Sequence, residues 1–253
     1  MLASNSTHPW LVVAMLALAV LTYLALRFVV APYGRHTRGG WGPTVPDRVG
    51  WMLMESPSLV FFAWVYAQGA HRAEAAPMAL FGLWMLHYGH RTLVYPFRLR
   101  SSGKRMPVVI VLLAVAFNVL NCSINARWIS ELGVYPAGWL SDPRFVSGVL
   151  LFGVGMVVNL DADRRLFALR APGETGYKIP RGGLYEWVTS PNYLGELVEW
   201  GGWALASWSV GGLAFALYTF ANLAPRAVAH HAWYQQQFPD YPKARKALVP
   251  FLY

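Results

Sequence analysis

The stretch WLVVAMLALAVLTYLALRFVV, residues 10–30, limits what this chain can fold into more than any other, because its single charge is Arg27. A run of about 20 apolar residues crosses a hydrocarbon core as a helix, the form that satisfies its own backbone there. No basic residue precedes the run, so it reads as a retained span rather than a cleaved signal peptide. Six further apolar blocks follow near 49–68, 78–97, 108–126, 145–160, 193–208 and 210–228, the last three short or interrupted. Charged residues make up only 13% of the chain, against about 25% in soluble domains. The expected fold is all-α: a polytopic membrane protein with seven transmembrane helices, forming one domain over residues 1–253.

The connections between these blocks carry, in order, 3, 1, 4, 2, 5 and 0 Lys or Arg residues, and the region from 226 onward carries 4. This alternation follows the positive-inside rule and predicts an external N-terminus and a cytoplasmic C-terminus. The net charge of +9 then belongs to one membrane face. There it meets lipid head groups or an anionic ligand, and it implies no nucleic acid. Arg27 is expected to snorkel, and Arg164, Arg165, Lys243, Arg245 and Lys246 are expected to be solvated or lipid-facing.

Several chemistries drop out early. Cys122 is alone in an apolar stretch, which leaves no disulfide framework and no cysteine metal site. The histidines have no metal-ligand spacing. GVGMVV at 153–158 imitates a dinucleotide loop, but it lacks the third glycine and sits within a span rather than after a strand. The Gly-rich turn RHTRGGWGPTVP covers 35–46, and no internal repeat is present.

Polar residues inside the spans carry the functional signal, because an ionisable group at membrane depth is costly and usually faces a bundle interior. Tyr88, Arg91, Tyr95 and Arg98 fall on one helical stripe, as do Asn159, Asp163 and Arg170. Asn192, Glu196 and Glu199 form a third stripe, and Arg226, His230 and Tyr234 a fourth. Glu55 is a fifth polar site, beside Pro57, which should loosen its helix. Ser190 and Pro191 fit the N-cap and first position of the helix carrying Glu196 and Glu199. Glu196 is the better ligand candidate, while Glu199, one turn deeper, could pair with a basic neighbour. Each stripe alone is balanced between structure and function; five directed at one cavity favour function. Arginine forks suit phosphates, and carboxylates with Asn suit ribose and amide groups. The inventory fits a nucleotide cofactor entering from the cytoplasm beside a lipid-like substrate.

Three longer segments make the pattern specific: HYGHRTLVYPFRLR, NLDADRRLFALRAPGETGYKIPRGGLYEWVTSPNYLGELVEWGGWALASWS and DYPKARKALVPFLY. Together with MESPS they closely resemble the steroid 5α-reductases over essentially the whole chain after the first span, most strongly from 159 to 253. The Pro-x-Tyr-x-Gly-Glu helix start alone is shared with sterol reductases and isoprenylcysteine methyltransferases. The resemblance implies reduction of the Δ4 double bond of a 3-oxo steroid with NADPH, the cofactor-binding part lying mainly in 87–253. It matches Glu55 and Tyr88 to the pair on the substrate carbonyl. It matches Arg91, Tyr95, Arg98, Asn159, Asp163, Arg170, Tyr177, Asn192, Glu196, Arg226, His230 and Tyr234 to the NADPH set. Met54 replaces a glutamine of the animal enzymes, and Lys178, also in the cofactor region, replaces an arginine fork with a point charge.

The chemistry follows independently. Hydride addition to the β-carbon of an enone builds negative charge on the carbonyl oxygen, which a positioned donor stabilises. Tyr88 can donate its hydroxyl, and Glu55 can donate as a neutral acid. The pattern assigns no donor for the α-carbon proton. Arg98, Arg170, Arg100 and Lys178 exceed what a pyrophosphate needs, so a 2′-phosphate and NADPH preference are expected. The alternatives are a reductase of another lipid enone or enoyl substrate, a methyltransferase using S-adenosylmethionine, and a transporter or receptor. The arginine surplus argues against the methyltransferase, and the lack of internal hydropathy symmetry against a transporter. The expected partners are a steroid or steroid-like lipid and the membrane, with the chain a monomer. Few lysines and many Ala, Arg and Leu suggest a bacterial inner membrane, or the endoplasmic reticulum in a eukaryote.

Overall fold

A computed structural model describes residues 6–99, 103–171, 174 and 176–253. Each apolar block forms helix. Helix α1 (His8–Phe28) starts with Pro9 in its first turn. A short strand β1 (Thr44–Pro46) leads into α2 (Asp47–Ser56), then a π turn (Pro57–Phe61) and α3 (Phe62–Tyr66). Helix α4 (Ala75–Leu93) ends before the short α5 (Tyr95–Arg98), and β2 (Arg105–Pro107) precedes α6 (Val108–Arg127). Helices α7 (Pro143–Ala168), α8 (Pro191–Ser207) and α9 (Val210–Gln237) complete the bundle. The 145–160 and 210–228 blocks run longer as helices, to Ala168 and Gln237, because their polar ends continue the helix past the hydrophobic run.

Among the described residues, three helical stretches are long and apolar enough to cross a membrane: His8–Phe28, Val108–Leu132 and Pro143–Ala168. Their outward faces present large apolar side chains such as Leu24, Leu112, Leu150 and Val154. Polar groups such as Asn121, Asn125, Asn159, Asp163 and Glu199 are buried instead. This inverted arrangement is that of a multi-pass membrane protein.

Local chemistry fixes the elements near the site. Pro57 has no N–H to donate, and the helix widens there into a π turn. Neighbouring side chains satisfy the carbonyls around it: Asn118 donates to Met54 (2.6 Å), Trp84 to Ser58 (2.8 Å), Ser56 to Leu53 (3.0 Å) and Cys122 to Pro57 (3.6 Å). Glu55 thereby sits on a distorted turn whose flanking carbonyls are partnered by side chains. Asp142 caps α7 by accepting from the Arg144 N–H (2.8 Å), and Ser209 caps α9 by accepting from Gly212.

Helix α7 lies against α8 along a glycine seam. A Cβ at Gly195 would sit 2.6 Å from the Asn159 nitrogen, and one at Gly155 would strike the backbone of Gly195 and Glu199. Gly148 and Gly202 meet the same way one heptad away. The GVG segment is thus partly a packing device, with Gly155 at the seam and Gly153 in open space. The β1–β2 ribbon, antiparallel with Val45 opposite Met106, ties the loop after α1 to the start of α6.

Two expectations change. Ser190 stands at the N-cap of α8 without a side-chain cap bond; Pro191 sets the start, and the Ser190 carbonyl accepts from Tyr193 and Leu194. Arg245 is not solvated but buried, with its guanidinium 5.3 Å from the Tyr241 ring and 3.9 Å from Glu186. The cause is tertiary: Thr189 and Lys246 join the C-terminal tail to the approach to α8, with Thr189 N–H donating to the Lys246 carbonyl (2.8 Å).

Candidate active site

Two cavities lie side by side in the bundle. The larger, about 720 Å³, is lined by α1, α2, α4, α6, α8 and α9 and is open on one side. The smaller, about 220 Å³, opens among the loop after α1, α5, the end of α7, the segment before α8 and the lower half of α9. Tyr33, Trp51 and Arg226 line both.

Leu18, Leu21, Ile110, Leu113 and Phe117 give the larger cavity an apolar wall, while Glu55, His87, Tyr88, Arg91 and Glu196 supply polar groups. Its size and lining suit a rigid apolar molecule with one polar end. Aromatic rings surround that of Tyr88. The ring centroid lies 4.9 Å from Trp84, 4.8 Å from His87 and 5.6 Å from Trp200.

Arg91 is the hub between the cavities. Its guanidinium reaches Glu196 at 3.2 Å, Asp163 at 3.7 Å and Glu55 at 3.8 Å, and it lies over the rings of Tyr95 (4.5 Å) and Trp51 (4.9 Å). Four helices thus converge on one cation. Asn159 donates to the Asn192 carbonyl (3.0 Å) and to Glu196 (3.3 Å), and Asn192 donates to Asp163 (3.3 Å). Such a buried cluster depends on all its members, since removing one partner leaves an uncompensated charge.

One turn deeper, His87 Nδ1 donates to Glu199 Oε1 at 2.8 Å, in a fully buried pair. The basic neighbour of Glu199 is therefore a histidine of α4.

The smaller cavity is basic. Arg35, Lys104, Arg170, Lys178 and Arg226 line it with Tyr95, Tyr177, Asn192, His230 and Tyr234. Arg35 lies 4.6 Å over Tyr234 and 5.6 Å over Tyr177, and its Nη1 is a buried donor without a hydrogen-bond partner. Lys104 donates to the Tyr177 hydroxyl at 2.8 Å, and Lys178 pairs with Glu174 at 2.6 Å. His36 Nε2 faces His230 Nδ1 at 3.0 Å, and His230 Nε2 faces the Tyr193 hydroxyl at 3.0 Å. Burial first, then Arg35, Arg226 and Arg38, push His36 down to about 4, so it is neutral near neutral pH. Burial likewise raises Tyr33 to about 12.

Of the residues expected from the sequence, Glu55 and Tyr88 line the larger cavity, and Arg91, Glu196 and Arg226 border it as well. Tyr95, Arg170, Tyr177, Lys178, Asn192, His230 and Tyr234 line the smaller one. Asn159 and Asp163 stand behind it and orient Asn192 and Glu196. Arg98 lies apart, exposed over the Phe167 ring at 5.3 Å and lining neither cavity, because α5 turns its last residue outward. Arg100 lies outside the described residues. The sequence reading missed Arg35, Lys104 and His87; the basic count of the first and third connections was the available signal for the first two.

The residue set can be tested against a dinucleotide. Arg35 Nη1 is a buried donor with no acceptor, and Asp163 Oδ2 is a buried acceptor with no hydrogen-bond donor. Arg35 lines the smaller cavity, where a phosphate answers its free donor, while Asp163 Oδ2 faces Arg91 at 3.7 Å from behind the wall; the lining residues fit a dinucleotide.

A family model described as 3-oxo-5-alpha-steroid 4-dehydrogenase matches residues 104–253. Bovine 3-oxo-5-alpha-steroid 4-dehydrogenase 1 is 46% identical over 240 residues, 93% of either chain. The human protein of that name is 47% identical over 223 residues, 87% of this chain and 86% of its own. The Arabidopsis thaliana steroid 5-alpha-reductase DET2 is 46% identical over 239 residues, covering 92% and 91%.

Proposed function

Since this chain belongs to the 3-oxo-5-alpha-steroid 4-dehydrogenase family, we propose that it reduces the Δ4 double bond of 3-oxo-Δ4 steroids with NADPH. The observation that carries this reading is the pair of adjoining cavities, one apolar with Glu55 and Tyr88, one basic, meeting at Arg91. We assign the steroid to the larger cavity and the nucleotide to the smaller. Residues 1–253 act as one seven-helix domain, N-terminus outside, and the cofactor part is drawn mainly from 87–253, with Arg35 added.

When bound, NADPH supplies a hydride to the enone β-carbon. The chain's own residues do the rest. Tyr88 and Glu55, as a neutral acid, donate to the carbonyl oxygen and stabilise the enolate charge. Arg35, Arg170, Lys178 and Arg226 hold phosphates, and Arg91 with Asp163 behind them fixes Glu196 and Asn192 as partners for hydroxyl and amide groups. The apolar walls exclude water from the reacting carbons.

The test is product analysis after incubating the purified protein with NADPH and testosterone or progesterone. A product two hydrogens heavier is expected. Binding of NADPH without steroid reduction would move the substrate to another lipid enone; failure to bind NADPH would overturn the reading.

A further inference from the structure

The buried pair of His87 and Glu199 has no part in holding the carbonyl or the nucleotide. Its members come from different helices and meet at 2.8 Å, and the Glu199 side chain is 0% exposed. The second oxygen of Glu199 has no hydrogen-bond partner. A structural pair at this depth would serve no better than packed apolar residues, so its chemistry calls for a use. Only the imidazole reaches the larger cavity. Glu199 engages Nδ1, which leaves Nε2 as the nitrogen available to the cavity. The ring is clamped edge-on between Tyr88 (4.8 Å) and Trp200 (4.6 Å). A histidine backed by a carboxylate and presenting its other nitrogen is the arrangement of an oriented acid or base.

We propose that His87 is the proton donor to the α-carbon of the substrate and that Glu199 is its positioning residue. This rests on the reductase reading. The α-carbon is bonded to the carbonyl carbon, so a donor beside Tyr88 stands beside the carbon that needs the proton. In the step, the enolate electron pair forms the new C–H bond, the Nε2–H bond breaks and the carbonyl double bond returns. The imidazole is left neutral, with Nδ1–H still donating to Glu199. Nε2 takes its next proton from water between turnovers.

The same step runs backwards on the saturated ketone without any cofactor. Protein incubated in D2O with the 5α-reduced 3-ketone, and no nucleotide, is therefore expected to exchange one α-hydrogen stereospecifically at the formerly unsaturated carbon, read by NMR. His87→Gln is expected to slow that exchange by about 10²-fold or more, with steroid affinity and elution as a folded monomer unchanged. Glu199→Gln is expected to slow it by about tenfold while keeping the same face selectivity. Reduction by His87→Gln in D2O with NADPH is expected to place deuterium on both faces of the α-carbon. Wild-type exchange and face selectivity retained in His87→Gln would overturn the proposal while leaving the reductase reading standing. A misfolded His87→Gln hands the decision to Glu199→Gln, whose unchanged exchange would overturn it. A wild-type protein that neither reduces the enone nor exchanges the ketone would overturn both readings.

Discussion

Tyr88→Phe isolates the carbonyl site from everything around it. The ring already has three aromatic neighbours within 5.6 Å, and phenylalanine keeps all of them. The substitution removes one hydroxyl, so its effect on folding should stay near about 1 kcal/mol, the net worth of a hydrogen bond. Tyr88 lines the larger cavity and not the smaller, so NADPH affinity should stay within a few-fold. Turnover should fall about 10²–10³-fold, or 2.7–4 kcal/mol, the usual loss for one oxyanion donor. Detergent-purified protein supports both measurements: initial rates at saturating NADPH, and cofactor affinity by fluorescence titration. Normal turnover, or loss of NADPH binding along with activity, would refute the assignment of this hydroxyl to the steroid carbonyl.

Glu55→Gln keeps the shape and a donor but no ionisable proton; most activity should be lost with NADPH affinity retained, since Arg91 keeps its closer partners Glu196 and Asp163. Arg170→Ala should raise the KM for NADPH and recover part of its turnover at high cofactor, and the wild type should strongly prefer NADPH to NADH in rates at matched concentrations. Gly155→Val should collapse the α7–α8 seam, an overpacking cost of at least about 1–3 kcal/mol seen as lost folded yield, whereas Gly153→Val, in open space, should fold. His36 is held at about 4 against 6.5 when free, so the unfolded chain binds more protons in that window and stability falls as pH drops through it; His36→Asn should flatten the dependence of Tm on pH there.

The stripes were legible because helical periodicity survives at membrane depth. Arg91, Asp163, Asn192 and Glu196 each follow from spacing alone, and their convergence follows from the cost of leaving them in lipid. Arg35, Lys104 and His36 sit in connections without a period, so no pattern marks them. Arg245 looked solvated because its burial depends on a tail docking against a distant segment. Arg98 shares the stripe of Arg91 but lies past the helix break at Val94, where the projection no longer holds. Glu199 was visible as a buried carboxylate, yet its partner is set by the crossing of α4 and α8.

Helices α1 and α6 build the apolar wall of the larger cavity, and neither contributes to the smaller one. On the proposed assignment, specificity and redox partner are separable by location. Replacing Leu18, Leu21, Ile110 or Leu113 with bulkier or smaller side chains reshapes the room for the hydrocarbon skeleton alone. Helices α7 and α8, packed backbone to backbone at their glycines, carry Phe167, Asn192 and Tyr193 of the smaller cavity on a seam that such substitutions do not touch. A chain organised as proposed can be retuned for sterols of different outline, by selection or by design, without relearning how to hold its reductant.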